Sequence, residues 1–164
     1  MLGYHALEYV LYENGKAHKV SDFTTAQWTF MAVVANDLRN QAVLLEACWA
    51  GVNNITAEKK ELLTTSGLIT AANRYPMDGG FGSYMTNPDY GRVFVTYEGA
   101  AAQLVQGCFD IADEVGNIKI GTACFAAAGN VEDRNYIESP YSLHSIIDFV
   151  DNIRSIEHSY YGRK

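Results

Sequence analysis

A chain of 164 residues that is 48% hydrophobic and 19% charged carries enough apolar material for a packed core, and too much for a disordered segment. Its 12 basic residues against 19 acidic ones give a formal charge of −7, which argues against a surface that tracks nucleic-acid phosphates and suits cationic partners, metal ions included. No apolar run reaches the roughly 18–20 residues that a membrane-spanning helix needs, and the length fits one domain over residues 1–164.

The first predicted helix covers residues 3–12, with Gly15 placed as its C-terminal stop after Glu13 and Asn14. His5 and Glu8 stand three apart in it, so an imidazole and a carboxylate share one face and can converge on one cation. Pairs at this spacing supply ligands in helical carboxylate metal proteins. The alternative is a His–Glu hydrogen bond at a packed interface. Two ligands do not complete a zinc site, and the absence of any His-Glu-x-x-His string excludes a zinc protease of that type.

The second helix is predicted over residues 24–50, roughly 40 Å of chain. Thr24 and Gln27 match a capping box, Gly51 closes the run, and Trp28, Met31, Ala35, Leu38, Ala42, Leu45 and Trp49 form its expected seam. Asp37 lies beside that seam and calls for a partner such as Arg39, Arg74 or Arg154. A third helix follows Thr56 and runs to about residue 72, with Gly67 as a possible break. Residues 73–95, rich in Gly, Pro, Asn and Asp, read as a long loop whose "GGFG" lacks the Gly-Lys-Ser/Thr of a phosphate loop. The fourth helix, 96–115, puts Ala101, Leu104, Val105, Cys108, Ile111, Ala112 and Val115 on one stripe and ends at Gly116 and Asn117.

A second long connection occupies 117–138. The fifth helix then starts at Ser142 as N-cap, with Leu143, Ile146, Ile147, Val150, Ile153 and Ile156 as its apolar face. Glu138 and Ser139 precede it, and Ser145, Asp148 and Asp151 share a polar stripe. A triad of Ser142, His144 and Asp148 is unattractive, because no nucleophile-elbow motif frames the serine. Cys48, Cys108 and Cys124 show no Cys-x-x-Cys spacing; Cys48 and Cys108 read as small buried hydrophobes. Long amphipathic helices without a strand pattern predict an all-α helical bundle with long irregular loops.

Gly3-Tyr4-His5-Ala6-Leu7-Glu8 followed by "YVLYENG", the long helix carrying "VANDL" and Trp49, and the closing "ESPYSLHSIIDFVDNIRSIEHSYYG" together resemble the imelysin family, whose hallmark is Gly-x-His-x-x-Glu. The resemblance implies an all-helical fold of two bundle-like halves with the motif near their junction. It implies an exported protein of the periplasm or cell surface, often a lipoprotein, associated with iron acquisition and grouped with metallopeptidases. By similarity Gly3 permits close helix packing, and His5 and Glu8 are the metal-binding pair, with Fe or Zn as the ion. Glu138, Ser139, Tyr141 and Ser142 are expected to line the same cleft, with Asp37 and Asp148 as further candidates around it.

The chain is expected to correspond to the latter part of a two-bundle protein, and an uncovered bundle face would favour homo-oligomers. Three functions follow as expectations. One is a binding protein for iron or a metal-bearing ligand. Another is a metallopeptidase in which His5 ligates the metal and Glu8 ligates it or acts as general base. The last is a structural helical module without a metal.

Overall fold

A computed structural model of the chain describes residues 3–69, 79–89, 93–125 and 136–162. Arg74, residues 73–78 and 90–92 of the first expected loop, and residues 126–135 of the second connection lie outside them. The protein is all-α, as its helical periodicities predict. The described residues group into two compact units, residues 1–7 with 24–101 and residues 8–23 with 102–164.

In the first unit, α2 (Thr25–Ala50) begins at the predicted capping box: Thr24 Oγ1 accepts from the Gln27 N–H at 3.3 Å, and Gln27 Oε1 accepts from the Thr24 N–H at 2.9 Å. It ends at Gly51, whose φ of +92° is open to glycine and whose N–H donates to the Ala47 carbonyl. The buried face is not the predicted seam. Met31 is buried as expected, but Trp28, Leu45 and Trp49 are exposed, whereas Val34 and Ala47 are wholly enclosed. Apolar residues surround α2 on several sides, so periodicity alone leaves its inward face undetermined. Packing of α3 (Ala57–Thr65) decides the choice. Ala47, Ile55 and Leu63 form the core, with Val43, Leu44, Ala50, Val52, Leu68 and Ile69 against it.

The α3 helix starts where predicted, with Thr56 Oγ1 accepting from the Lys59 N–H, but stops seven residues early. Gly67 takes a φ of +72°, and the N–H groups of Leu68 and Ile69 both donate to the Leu63 carbonyl. The chain thereby doubles back, and its next two apolar residues close the core. Within the expected first loop lies a short helix, α4 (Phe81–Thr86). Its Gly80 abuts the end of α2: a Cβ there would lie 2.2 Å from the Gly51 nitrogen. Trp49, Phe81 and Phe94 stack edge to face at centroid separations of 5.3 and 5.6 Å.

Two boundaries between the units fall inside helices, α1 (Tyr4–Leu11) and α5 (Tyr97–Asp113). Gly15 does not stop α1. Asn14 and Gly15, with φ of +51° and +78°, form the turn of a small hairpin in which β1 (Tyr12–Glu13) pairs antiparallel with β2 (Lys16–Ala17), Tyr12 opposite Ala17. Both turn residues therefore take the left-handed conformations of a type I′ turn. Nor do Gly116 and Asn117 end α5. The chain continues through a π-helical segment, Glu114–Ile120, into α6 (Gly121–Phe125). Asn117 Nδ2 donates back to Asp113 Oδ1 at 2.6 Å, one turn earlier, and so stays within the helical run.

The last helix, α7 (Ser145–Tyr161), is capped by the backbone of His144 and starts two residues later than expected. Ser142 is not its N-cap. The predicted apolar faces of α5 and α7 exist as sequence stripes but remain largely uncovered: Leu104 and Val105 on α5, and Ile146, Ile147, Val150 and Ile153 on α7, are exposed, as is Phe109 outside the predicted α5 stripe.

Candidate functional site

The second unit gathers its polar side chains around one carboxylate. Glu8, half-buried on α1, receives two hydrogen bonds on a single oxygen: Oε1 accepts from the Ser142 N–H at 2.8 Å and from Ser142 Oγ at 2.6 Å. Ser142 is 5% exposed and Ser139 7% exposed. Two donors converging on one oxygen fix the carboxylate's rotamer.

The segment carrying these donors, 138–144, is held in a demanding conformation. Ser139 and Leu143 take φ values of +47° and +59°, a left-handed region costing non-glycine residues about 1–3 kcal/mol each. The surroundings account for its persistence. Ser139 Oγ donates to Asp148 on the first turn of α7, and Ser145 Oγ donates to the Glu138 carbonyl. Gly15, at the hairpin tip, donates its N–H to the Tyr141 carbonyl at 2.9 Å. A Cβ on Gly15 would lie 3.0 Å from Leu143 Cδ1, so this glycine serves both the turn and the contact. Tyr9 meets the Tyr141 ring edge to face at 5.0 Å, and Tyr12 meets the His144 ring at 5.9 Å.

Of the residues expected at the site, the structure joins Glu8 to Ser142 directly, with Tyr141 held against Tyr9 and Gly15, and Glu138, Ser139 and Asp148 bracing the segment. His5 lies one turn earlier on α1, at the exposed end of that helix. Among the described residues, a Cβ on Gly3 would meet nothing within 4 Å, so no packing contact there calls for glycine. Its φ of +109° does, and its carbonyl accepts the Ala6 N–H that opens α1. Asp37 sits half-buried on α2 of the first unit. Arg39 on the same helix donates to Asn40, and Arg154 on α7 pairs with Asp151.

The Ser142, His144 and Asp148 triad is not assembled, since Ser142 Oγ is committed to Glu8 and Asp148 to Ser139. Reasoning from sequence missed two contributors: the Asn14–Gly15 turn and the aromatic pairs from Tyr9 and Tyr12. For the first a signal was available, because Asn-Gly between alternating residues is the strongest short-range hairpin sign.

Among the described residues no group of three His, Cys, Asp or Glu side chains is placed to hold a metal ion. The donors on α1 are an imidazole and a carboxylate, which suit iron or zinc in kind but give at most two coordination positions. Hydrogen bonds that orient a ligating carboxylate are the usual surroundings of such a ligand, and Ser142 supplies two.

The chain is an all-α protein in which Ser142 holds a glutamate one turn after a histidine. Residues 1–164 match the sequence model of a peptidase family described as imelysin, and the chain belongs to that family. No curated protein and no solved structure matches it. Among the described residues no helix is long and apolar enough to cross a membrane.

Proposed function

We propose that this imelysin-family protein binds a metal, with His5 and Glu8 as its protein donors, and that it acts outside the cytoplasm in iron uptake. The observation that carries the reading is the pair of hydrogen bonds from Ser142 to one oxygen of Glu8. They hold the carboxylate in a defined pose on the helical face that also carries His5. With two donors from the chain, the remaining positions fall to water or to groups that arrive with the metal. A metal-bearing ligand, already partly chelated, is therefore the preferred cargo. Titration with Fe(II) and with Zn(II) by calorimetry tests this. One ion per chain in the wild type, and at least about tenfold weaker binding in His5→Ala, is expected for loss of one ligand. Equal affinity in the two proteins would remove His5 from the site.

A second reading has the family's peptidase label behind it: a bound metal would supply an activated water, with Glu8 as general base. Ser142 already donates twice to Glu8 Oε1, and such bonds orient the carboxylate without arranging a nucleophile. Cleavage of a peptide library that stops on adding chelator would move the preference to this reading. The exposed apolar faces of α5 and α7 are read, within the same proposal, as surfaces for a second copy of the chain.

A further inference from the structure

The π-helical segment carries a lysine that the site described so far does not use. Lys119 is largely enclosed, with 14% of its side chain exposed, and its ammonium lies 3.6 Å from Glu114 Oε1 and 3.5 Å from Glu138 Oε1. Glu138 heads the left-handed segment that ends on Glu8. We propose that Lys119 is a positioning residue for Glu8: it anchors Glu138, and through the 138–142 segment it sets where Ser142 presents its two donors.

Helix geometry explains why a π segment is needed. On an α-helix, residues five apart point about 140° away from each other. Glu114 and Lys119 are five apart, yet they form an ion pair. The wider turn, closed by the Gly121 N–H on the Gly116 carbonyl, brings positions five apart onto one face. It also turns everything beyond it by about 100° relative to an uninterrupted α-helix, the angular step of one residue. Lys119 is aimed at Glu138 by that insertion. Single-turn π insertions of this kind frequently accompany functional sites.

Charge makes the anchor worth having. Glu138, Asp148 and Glu8 are three carboxylates bonded to one seven-residue segment or belonging to it. A lysine enclosed among protein atoms needs compensating charge, and Glu138, itself only 22% exposed, needs the converse. Glu114 is 55% exposed and remains well solvated without its partner. The Lys119–Glu138 contact is thus the one that constrains the chain.

This inference rests on Glu8 being the functional carboxylate of the proposed site, and its test separates the two. Native-state hydrogen exchange is read by NMR at the Ser142 amide, which donates to Glu8, with α2 amides of the first unit as a control. In Lys119→Met, exchange at Ser142 is expected to accelerate roughly tenfold or more, the order expected on removing one partner of a half-buried ion pair, while α2 is unchanged. Lys119→Arg, which keeps the charge, restores most of the protection. Glu138→Gln reproduces the Lys119→Met effect, the double variant adds little to either, and Glu114→Gln changes Ser142 by less than about threefold.

Unchanged Ser142 exchange in both Lys119→Met and Glu138→Gln would overturn the inference, as would an arginine variant as loose as the methionine one. Should Lys119→Met fail to fold, Glu138→Gln against Glu114→Gln decides the matter alone. Iron titration then locates any failure. Wild-type protein that binds no metal sinks the metal reading and leaves the Ser142 result standing. Wild type and Lys119→Met that bind iron equally, with equal Ser142 exchange, sink the positioning role and leave the metal site.

Discussion

Single residues in this protein are explained by conformation and partner more than by type. Ser142 has the composition of a helix cap but spends both its donors on Glu8, 134 positions away in the chain. Gly15 has the look of a helix stop but forms a hairpin turn that also touches the segment around Ser142. Gly15→Ala is expected to cost about 1–2 kcal/mol, the penalty of a left-handed non-glycine residue, plus a displacement of Leu143. Urea denaturation followed by circular dichroism measures it, and a neutral substitution would mean the hairpin turn relaxes freely. The cysteines differ in the same local manner. Burial raises the Cys48 thiol above its usual range and so disfavours the thiolate, whereas Cys124 is exposed. Alkylation with iodoacetamide near neutral pH, read by mass spectrometry, is therefore expected to modify Cys124 well before Cys48.

At the scale of elements, what the sequence reveals depends on how local the determinants are. The start of α2 was legible to the residue, because a capping box is satisfied within four positions. The inward face of α2 was not, since Val43, Leu44 and Ala47 face the core only because Ile55 and Leu63 lie across from them. The early end of α3 belongs to the same class: Gly67 marks a break, but only the core shows that Leu68 and Ile69 fold back onto it. The π segment has no simple sequence signature, and Gly116 and Asn117 in fact read as a terminator. In the candidate site, the nearness of His5 and Glu8 on one helix was legible from their spacing, but the bonds from Ser142 to Glu8 were not, since they join positions far apart in the chain. Lys119 was not, because its aim depends on a widened turn. Leu63→Ala, which truncates a fully buried side chain, is expected to cost about 2–5 kcal/mol. Trp28 and Trp49 both lie in the first unit, so tryptophan fluorescence in a urea titration reports this unit alone, and a loss below about 1 kcal/mol would mean the cluster is not its core.

For the molecule as a whole, family membership and the all-α fold stand together with large apolar faces on α5 and α7. Surfaces of that kind favour association. Sedimentation velocity over a range of concentrations is expected to show species larger than the 18.1 kDa chain, and a single monomeric boundary throughout would contradict a second copy as the partner. The most direct measurement on the central claim is anomalous scattering from crystals of the protein loaded with iron. A peak within bonding distance of both the His5 imidazole and the Glu8 carboxylate is predicted, with the Ser142 bonds to Glu8 intact; a peak elsewhere, or none in fully loaded crystals, would contradict it.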